Sequence, residues 1–441
     1  MKETIIQFGT GNFLRGFTDC FVDEMNKQGL YDGRIVVVSP TDSKTVDILN
    51  EQNCQYNLYV RGIEAGKVVC NRKEIRSISR AINPYSDFDL YLSLAHNPDL
   101  RFIISNTTEA GIEYVPYDKF EDKPAKAFPA KLTQLLYERY KAGHNGFIIL
   151  SCELIDNNGK ELQKCVLQYV QHWKLGEDFY NWVIEKNKFS NTLVDRIVTG
   201  YPNEEAEVLC KEIGYPDKLM DTTESYHLWV IEGNFENEFP LQKAGFNVVW
   251  TNDVSPYKKR KVRVLNGAHT SMAFPALLSG VETVGECLED TDINKYLNDC
   301  LFKYILPVLG ENEDNISFAN AVLERFANPY IKHQLRAISL NSVSKFSVRV
   351  LPTILDYKNM YGSYPKPLVF SFACLIEYYK NCKPQDSEAV ITFIKGNDIQ
   401  SILSNTDLWG HDLSDMYGIV QDSLDAIHKN GIREAIKWSL L

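Results

Sequence analysis

Apolar and polar positions recur along this chain in two periods, and the change from one to the other divides it. Thr4-Ile-Ile-Gln-Phe8 is a short apolar run that stops at Gly9, and residues 12–28 repeat their apolar positions at helical spacing. A second apolar run, residues 34–38, follows the breaker Gly29-Leu-Tyr-Asp-Gly33. The opening therefore predicts strand, tight turn, helix and strand, a right-handed βαβ unit. Residues 55–80 alternate as short antiparallel strands around Gly62 and Gly66 and predict an insertion. The parallel pattern then returns, with helices over residues 87–96 and 130–141 leading to strands over 101–105 and 147–150. Both strands run into polar segments, 106–111 and 151–159, and the carboxyl ends of strands are where such sheets hold ligands.

Residues 161–252 mix helices with short strands and extend the first domain. From Ser255 onward almost every apolar stretch has helical spacing, as over 293–305, 318–326, 331–340, 368–379 and 413–428. The pattern predicts an α/β N-terminal Rossmann-like doubly wound domain with an antiparallel insertion over residues 1–254, followed by an all-α C-terminal domain over 255–441.

Composition narrows the function classes. A 44% apolar chain of 441 residues is globular, and two domains are the default at that length. With 58 acids against 47 bases the net charge is −11, and no run of five lysines and arginines occurs, which argues against nucleic acid as a partner. The ten cysteines form no CxxC pair, and no 18-residue apolar run or charged leader is present, so a reduced, cytoplasmic protein with no membrane association is expected. No histidine pair has metal-ligand spacing, so no metal is expected.

Two constellations carry the candidate chemistry. Phe8-Gly9-Thr10-Gly11-Asn12-Phe13-Leu14-Arg15-Gly16 is a variant of the dinucleotide loop. Its first glycine permits the turn, its second lets backbone amides approach a pyrophosphate, and its third allows close helix-to-strand packing. Where the acid for the adenosine ribose is expected, the chain has Ser39-Pro-Thr41, and Asp42 is the nearest carboxylate. Asp42 is either that acid or a solvated turn residue, and the absence of an arginine there favours NAD over NADP. The second constellation is Lys261, Asn266 and His269. On a continuous α-helix, Asn266 lies about 140° and His269 about 80° around the axis from Lys261, so the three heads share less than half the circumference. A lysine can exchange a proton, an amide can polarise a carbonyl, and an imidazole can orient a hydroxyl, the functions that hydride transfer to a ketone requires. The bland alternative is a solvated helix start with a satisfied core histidine.

Lys261-x4-Asn266-x2-His269, with the glycine loop, resembles the long-chain, metal-independent polyol dehydrogenases, the family that includes mannitol 2-dehydrogenase and the hexuronate oxidoreductases. Further blocks extend the resemblance over nearly the whole chain: Ser105-Asn-Thr-Thr-Glu-Ala-Gly-Ile112, Cys152-Glu-Leu-Ile-Asp156, Thr192-Leu-Val-Asp-Arg-Ile-Val-Thr-Gly-Tyr-Pro202 and Asn328-Pro-Tyr-Ile-Lys-His-Gln-Leu335. The resemblance implies Lys261 as general acid/base, Asn266 in the oxyanion site, His269 positioning substrate, and Asn106, Thr107 and Glu109 near the cofactor. It implies reversible reduction of a keto-uronate, D-tagaturonate to D-altronate, with NADH. Fructuronate reduction, hexitol oxidation and, from another class, a non-catalytic NAD sensor are the alternatives. A hexuronate carries a carboxylate, so an extra cation is expected. Lys345 matches a substrate-contacting lysine of the family, and His333, Arg336 and Arg349 are the other candidates. One departure stands out: where the mannitol branch has an asparagine that helps polarise the carbonyl, this chain has Leu154, with Asn157 and Asn158 nearby as possible replacements.

Overall fold

A computed structural model describes residues 1–64 and 66–441, apart from the side chain of Glu109. Two compact units divide the chain: residues 1–62 with 69–254, and residues 63–68 with 255–441.

The first unit is built on a six-stranded sheet in the order Ile78–Ile82, Gly33–Val38, Lys2–Phe8, Phe102–Ser105, Ile148–Ser151, Lys188–Ser190, with every pairing parallel. Numbered by appearance in this sheet the order is 3-2-1-4-5-6, the doubly wound arrangement. Successive side chains point to opposite faces. Ile5, Ile35, Val37, Phe102, Ile104, Ile148 and Leu150 join one buried cluster, while Ile6, Phe8, Val36, Val38, Ile103 and Ile149 join the other. A sheet covered on both faces needs such continuous apolar strands.

Three expectations are corrected here. Ile78–Ile82 is the edge strand of the main parallel sheet, not part of an antiparallel insertion. The strand faces both cores, since Ile78 and Ala81 join one cluster and Ile82 the other, the register shift between Ile78 and Arg80 reversing its faces. The inserted strands Tyr56–Glu64 and Lys67–Ile75 belong to a mixed sheet, because Tyr56–Glu64 pairs in parallel with the distant Asp221–Glu224, which in turn pairs antiparallel with Val198–Gly200. The expected helix over 12–28 is two helices, Asn12–Arg15 and Thr18–Lys27. The break has a cause in the hydrogen bonding. Tyr56 Oη donates to the Arg15 carbonyl at 2.8 Å and Arg196 Nη1 to the Gly16 carbonyl at 2.7 Å, so side chains capture the acceptors that a continuing helix needs.

The second unit is helical. Gly267–Leu278 and Lys366–Asn381 bury most of their residues and pack together, with Phe274 against Tyr378 at 5.2 Å and Tyr379 at 6.1 Å between ring centroids. The helix expected over 331–340 shrinks to Leu335–Ile338. Residues 333–335 instead pair with 282–284 through Val284 N to His333 O (3.0 Å) and Leu335 N to Glu282 O (2.8 Å), which removes their amides and carbonyls from any helical ladder. Among the described residues no helix is long and apolar enough to cross a membrane.

Candidate active site

The strand order of the main sheet reverses between Lys2–Phe8 and Phe102–Ser105, and the glycine loop leaves the first of these strands. Gly9 has φ +140°, and a β-carbon there would stand 2.9 Å from the Asn106 carbonyl oxygen and 3.0 Å from Leu14 Cδ1. No larger residue fits. Gly11 is the opposite case: it is exposed, and no atom lies within 4 Å of its would-be β-carbon, which leaves the loop amides open to an anion. At Gly16 a β-carbon would meet Val198 Cγ1 at 2.9 Å, so the close packing bought by the third glycine is against Val198–Gly200. Phe8, Leu14 and Arg15 are buried, so these three of the expected cofactor residues can reach a dinucleotide only through their backbone. Thr10 and Phe13 are half-buried and Asn12 is exposed. Asp42 is exposed just beyond Gly33–Val38, where its Oδ1 accepts from Asn83 Nδ2 at 2.8 Å, beyond the neighbouring strand.

Next to the loop is a cavity of about 510 Å³ lined by Phe13, Asn106, Thr108, Ala110, Leu154 and Val194. Its wall is held from beneath by Glu153. One carboxylate oxygen accepts from Thr107 N (3.1 Å) and Thr107 Oγ1 (3.0 Å), the other from Ser105 Oγ (3.1 Å). Burial raises the Glu153 pKa above the ordinary carboxylate value, and these donors pull it partly back. Asn106 Nδ2 donates to the Cys152 carbonyl at 2.7 Å. Thr108 has φ +81° and ψ 167°, a conformation nearly confined to glycine that costs about 1–3 kcal/mol. The side chain of Glu109, expected here, lies outside the described residues. Leu154 is 61% exposed on this wall. Asn158 cannot replace the missing amide: its Nδ2 donates to Glu153 O (3.0 Å) and Thr192 O (2.9 Å), and its Oδ1 accepts from Gly159 N and Thr192 N (both 2.9 Å). Asn157 is exposed, with left-handed φ 51°.

In the second unit Lys261 ends the helix Ser255–Lys261, a π-helical segment Val262–Asn266 follows, and Gly267–Leu278 continues the axis. A π-turn takes one more residue than an α-turn, which turns everything beyond it back by about 100°. Asn266 then falls about 40° to one side of Lys261 and His269 about 20° to the other, a tighter alignment than a continuous α-helix allows. All three residues are half-buried. A β-carbon on Gly267 would stand 3.1 Å from the Arg349 carbonyl oxygen, so glycine lets the helix Ser342–Arg349 come close to this segment.

The His269 ring stacks on Phe326 at 4.1 Å and meets the His333 ring edge-on at 5.0 Å. Its Nε2 is buried with no hydrogen-bond partner among the described residues. Burial, His333, Arg325 and Arg349 all push its pKa well below the ordinary imidazole value, so it is neutral near pH 7. His333 is lowered by burial and by Lys345; Lys345 is lowered by burial and Arg349, with Asp386 opposing, and its Nζ donates to Ile338 O at 3.0 Å. His333 and Arg349 thus lie beside His269, and Lys345 lies beside both of them. Arg336 is exposed, and its electrostatic neighbour is Tyr378. Arg325 was not anticipated, although a buried arginine on the amphipathic helix Glu313–Phe326, next to Phe326, is the kind of signal that marks one. No cluster of three His, Cys, Asp or Glu suited to a metal ion occurs among the described residues.

Comparison with known proteins follows the same division. Residues 3–243 match the model of the mannitol dehydrogenase Rossmann domain and residues 253–429 that of the mannitol dehydrogenase C-terminal domain. Altronate oxidoreductase of Escherichia coli O7:K1 (strain IAI39 / ExPEC) is 42% identical over 99% of this chain and 96% of its own length; that of Enterobacter sp. (strain 638) is 41% identical over the same shares. Among solved structures, D-sorbitol dehydrogenase in substrate-free form matches with a TM-score of 0.87 and 25% identity over 99% of this chain and 95% of that one. The ternary complex of Pseudomonas fluorescens mannitol 2-dehydrogenase with NAD and D-mannitol matches in fold, with a TM-score of 0.73 and 22% identity over 100% and 94%.

Proposed function

Because this chain belongs to the mannitol dehydrogenase family, whose members are nicotinamide-dependent oxidoreductases acting on CH–OH groups, we propose that it reduces D-tagaturonate reversibly to D-altronate with NADH. The observation that supports the choice of a sugar acid is the placing of His333, Arg349 and Arg325 beside the neutral His269 imidazole, with Lys345 beside His333 and Arg349. A neutral hexitol has no use for a lysine and an arginine side by side, whereas a carboxylate is recognised by them.

The open amides around Gly11 and the apolar wall of Phe13, Ala110, Leu154 and Val194 suit a pyrophosphate and a nicotinamide ring. Asp42 at the strand end supports NAD over NADP. The bound dinucleotide supplies the hydride. On this reading Lys261 gives its Nζ proton to the oxygen as the carbonyl π-electrons move onto it, and takes a proton back in the oxidative direction. Asn266 donates an amide N–H hydrogen bond to the same oxygen. The unpaired Nε2 of His269 orients a neighbouring hydroxyl. NADH consumption with tagaturonate, fructuronate and fructose in parallel tests the reading. Preferred turnover of tagaturonate is expected. Preference for fructuronate would move the assignment to the epimer, equal rates with fructose would remove the carboxylate argument, and no turnover with any of the three would end the enzyme reading.

A further inference from the structure

Beneath the glycine loop lies a buried charged cluster that the proposed chemistry does not use. Arg15 Nη1 donates to the Thr10 carbonyl at 2.8 Å and Nη2 to Asn12 Oδ1 at 2.5 Å, so one guanidinium ties together the two sides of the loop that flank Gly11. Its Nε faces Asp221 Oδ2 at 3.9 Å, too far for a hydrogen bond, and both atoms are buried without a partner among the described residues. Asp19 completes the cluster: its Oδ2 shares the single Tyr56 Oη hydrogen, at 3.2 Å, with the Arg15 carbonyl, while Oδ1 is buried with no donor among the described residues. Gln7 lies against the Asp19 carboxyl, and Gln7 Oε1 is a second buried acceptor with no donor. Turning the Gln7 amide over would set its oxygen against the Gly9 carbonyl, in place of the bond that Nε2 donates there at 3.3 Å.

We propose that Arg15, Asp19 and Asp221 form an internal brace that sets the dinucleotide loop, and that the two carboxylates hold one proton between them. A proton on Asp19 is the donor that two adjacent acceptors lack. Charge leads to the same count. The titratable and charged groups facing the pair are Arg15, Tyr56, Cys54 and Arg196, and Arg196 also donates to the Gly16 and Glu224 carbonyls. Arg196 faces the buried Glu224 as well as Asp221, so three ionised carboxylates against Arg15 and Arg196 would leave a negative charge buried under the place where a diphosphate must bind; one proton makes the set neutral. Burial raises both carboxyls to about 7, consistent with a proton held near neutrality.

The inference rests on the reading that this loop binds the dinucleotide. An anion arriving above the pair favours its protonated form, so NADH binding should take up a proton in mildly alkaline solution. Isothermal titration of the full chain with NADH at pH 8, in two buffers of different ionisation enthalpy, is expected to give an uptake of roughly half a proton per NADH. Asp19→Asn should reduce the uptake to near zero, and Arg15→Lys should weaken NADH at least about tenfold. NADH binding without proton uptake by the unaltered chain, or an unchanged proton count in Asp19→Asn, would overturn the brace and leave the dinucleotide reading standing. No NADH binding at all would overturn both.

Discussion

If a substrate carboxylate is held by cations, Lys345 should matter for a keto-uronate and not for a neutral ketose. Replacing it by methionine keeps the aliphatic stem that packs on the helix and removes only the charge. At about 4 Å and an effective dielectric constant near 20, a full ion pair is worth about 4 kcal/mol, an upper bound. Two features of the site lower it. Lys345 is half-buried, so water screens part of the interaction, and its charge is already shared between repulsion from Arg349 and attraction to Asp386. What remains is close to the 1.5–3 kcal/mol typical of a hydrogen bond to a charged group. The expected loss in kcat/KM for a keto-uronate is therefore about 10- to 150-fold.

The same variant should change kcat/KM for fructose by less than about threefold, since a neutral ketose offers nothing for the ammonium to neutralise. A second readout is independent of substrate affinity. Lys345 is one of two causes that hold His333 below the ordinary imidazole value, so its removal should move the His333 titration upward in an NMR pH series. Equal losses with uronate and fructose would show that Lys345 shapes the site for every substrate. An unaffected uronate rate would transfer the carboxylate to Arg349 or His333.

Three other outcomes follow from the geometry. Lys261→Ala should lower turnover about 10²- to 10⁴-fold, the usual worth of a positioned proton donor, while NADH affinity measured by fluorescence stays within about threefold; loss of NADH binding would mean that Lys261 serves the cofactor. Gly9→Ala places a methyl 2.9 Å from the Asn106 carbonyl at φ +140°, so thermal unfolding should show a loss of about 1–3 kcal/mol together with weakened NADH binding, and an unchanged Tm would refute the strain. His227 is pushed down to about 4 by burial and Arg196, and its Nε2 accepts from Asn247 N at 3.1 Å. Unfolded histidine takes its proton near 6.5 and the folded one only near 4, so the fold loses stability as pH falls through that window. The ring is half-buried, which reduces the full shift to about 1–2 kcal/mol. The stability gap between the natural chain and His227→Gln should narrow by that amount from pH 7 to pH 4.5 in urea titrations, and a constant gap would refute the assignment.

Much of the nucleotide half was legible because its determinants are local. The alternation of Ile5, Ile6 and Phe8 between two cores and the glycine at φ +140° are properties of a few consecutive residues. What escaped depends on partners distant in sequence. Tyr56–Glu64 reads locally as one arm of an antiparallel insertion, yet its partner Asp221–Glu224 lies some 160 residues further on and runs parallel to it. Residues 12–28 keep helical periodicity through Gly16, and only Tyr56 and Arg196, taking the Arg15 and Gly16 carbonyls, end the first helix. Arg15 itself reads as one residue of the dinucleotide loop. The buried Asp221 and Asp19 draw it inward, and while Asp19 is four residues on and in reach along the expected helix, Asp221 is far along the chain and no periodicity reveals it.

On the helix that carries Lys261, Asn266 and His269, the spacing along the chain groups three residues compatibly but through the wrong geometry. Uniform α-spacing spreads Lys261, Asn266 and His269 over about 140°, wide enough that one group could point away from any common target. The π-segment Val262–Asn266 closes that spread to about 60°. Such a segment gives up regular α-geometry, and here its neighbours favour it: Arg263, whose nitrogens donate to Thr353 Oγ1 at 2.8 Å and Asp356 Oδ2 at 3.0 Å, ties the segment to the helix Leu351–Tyr361, while Gly267 admits the Arg349 carbonyl just beyond it. The phase of the three polar groups is therefore set by packing around the segment and not by the Lys-x4-Asn-x2-His spacing alone. That spacing is nevertheless suited to the π-turn, because residues five apart lie above one another only when the turn has taken its extra residue.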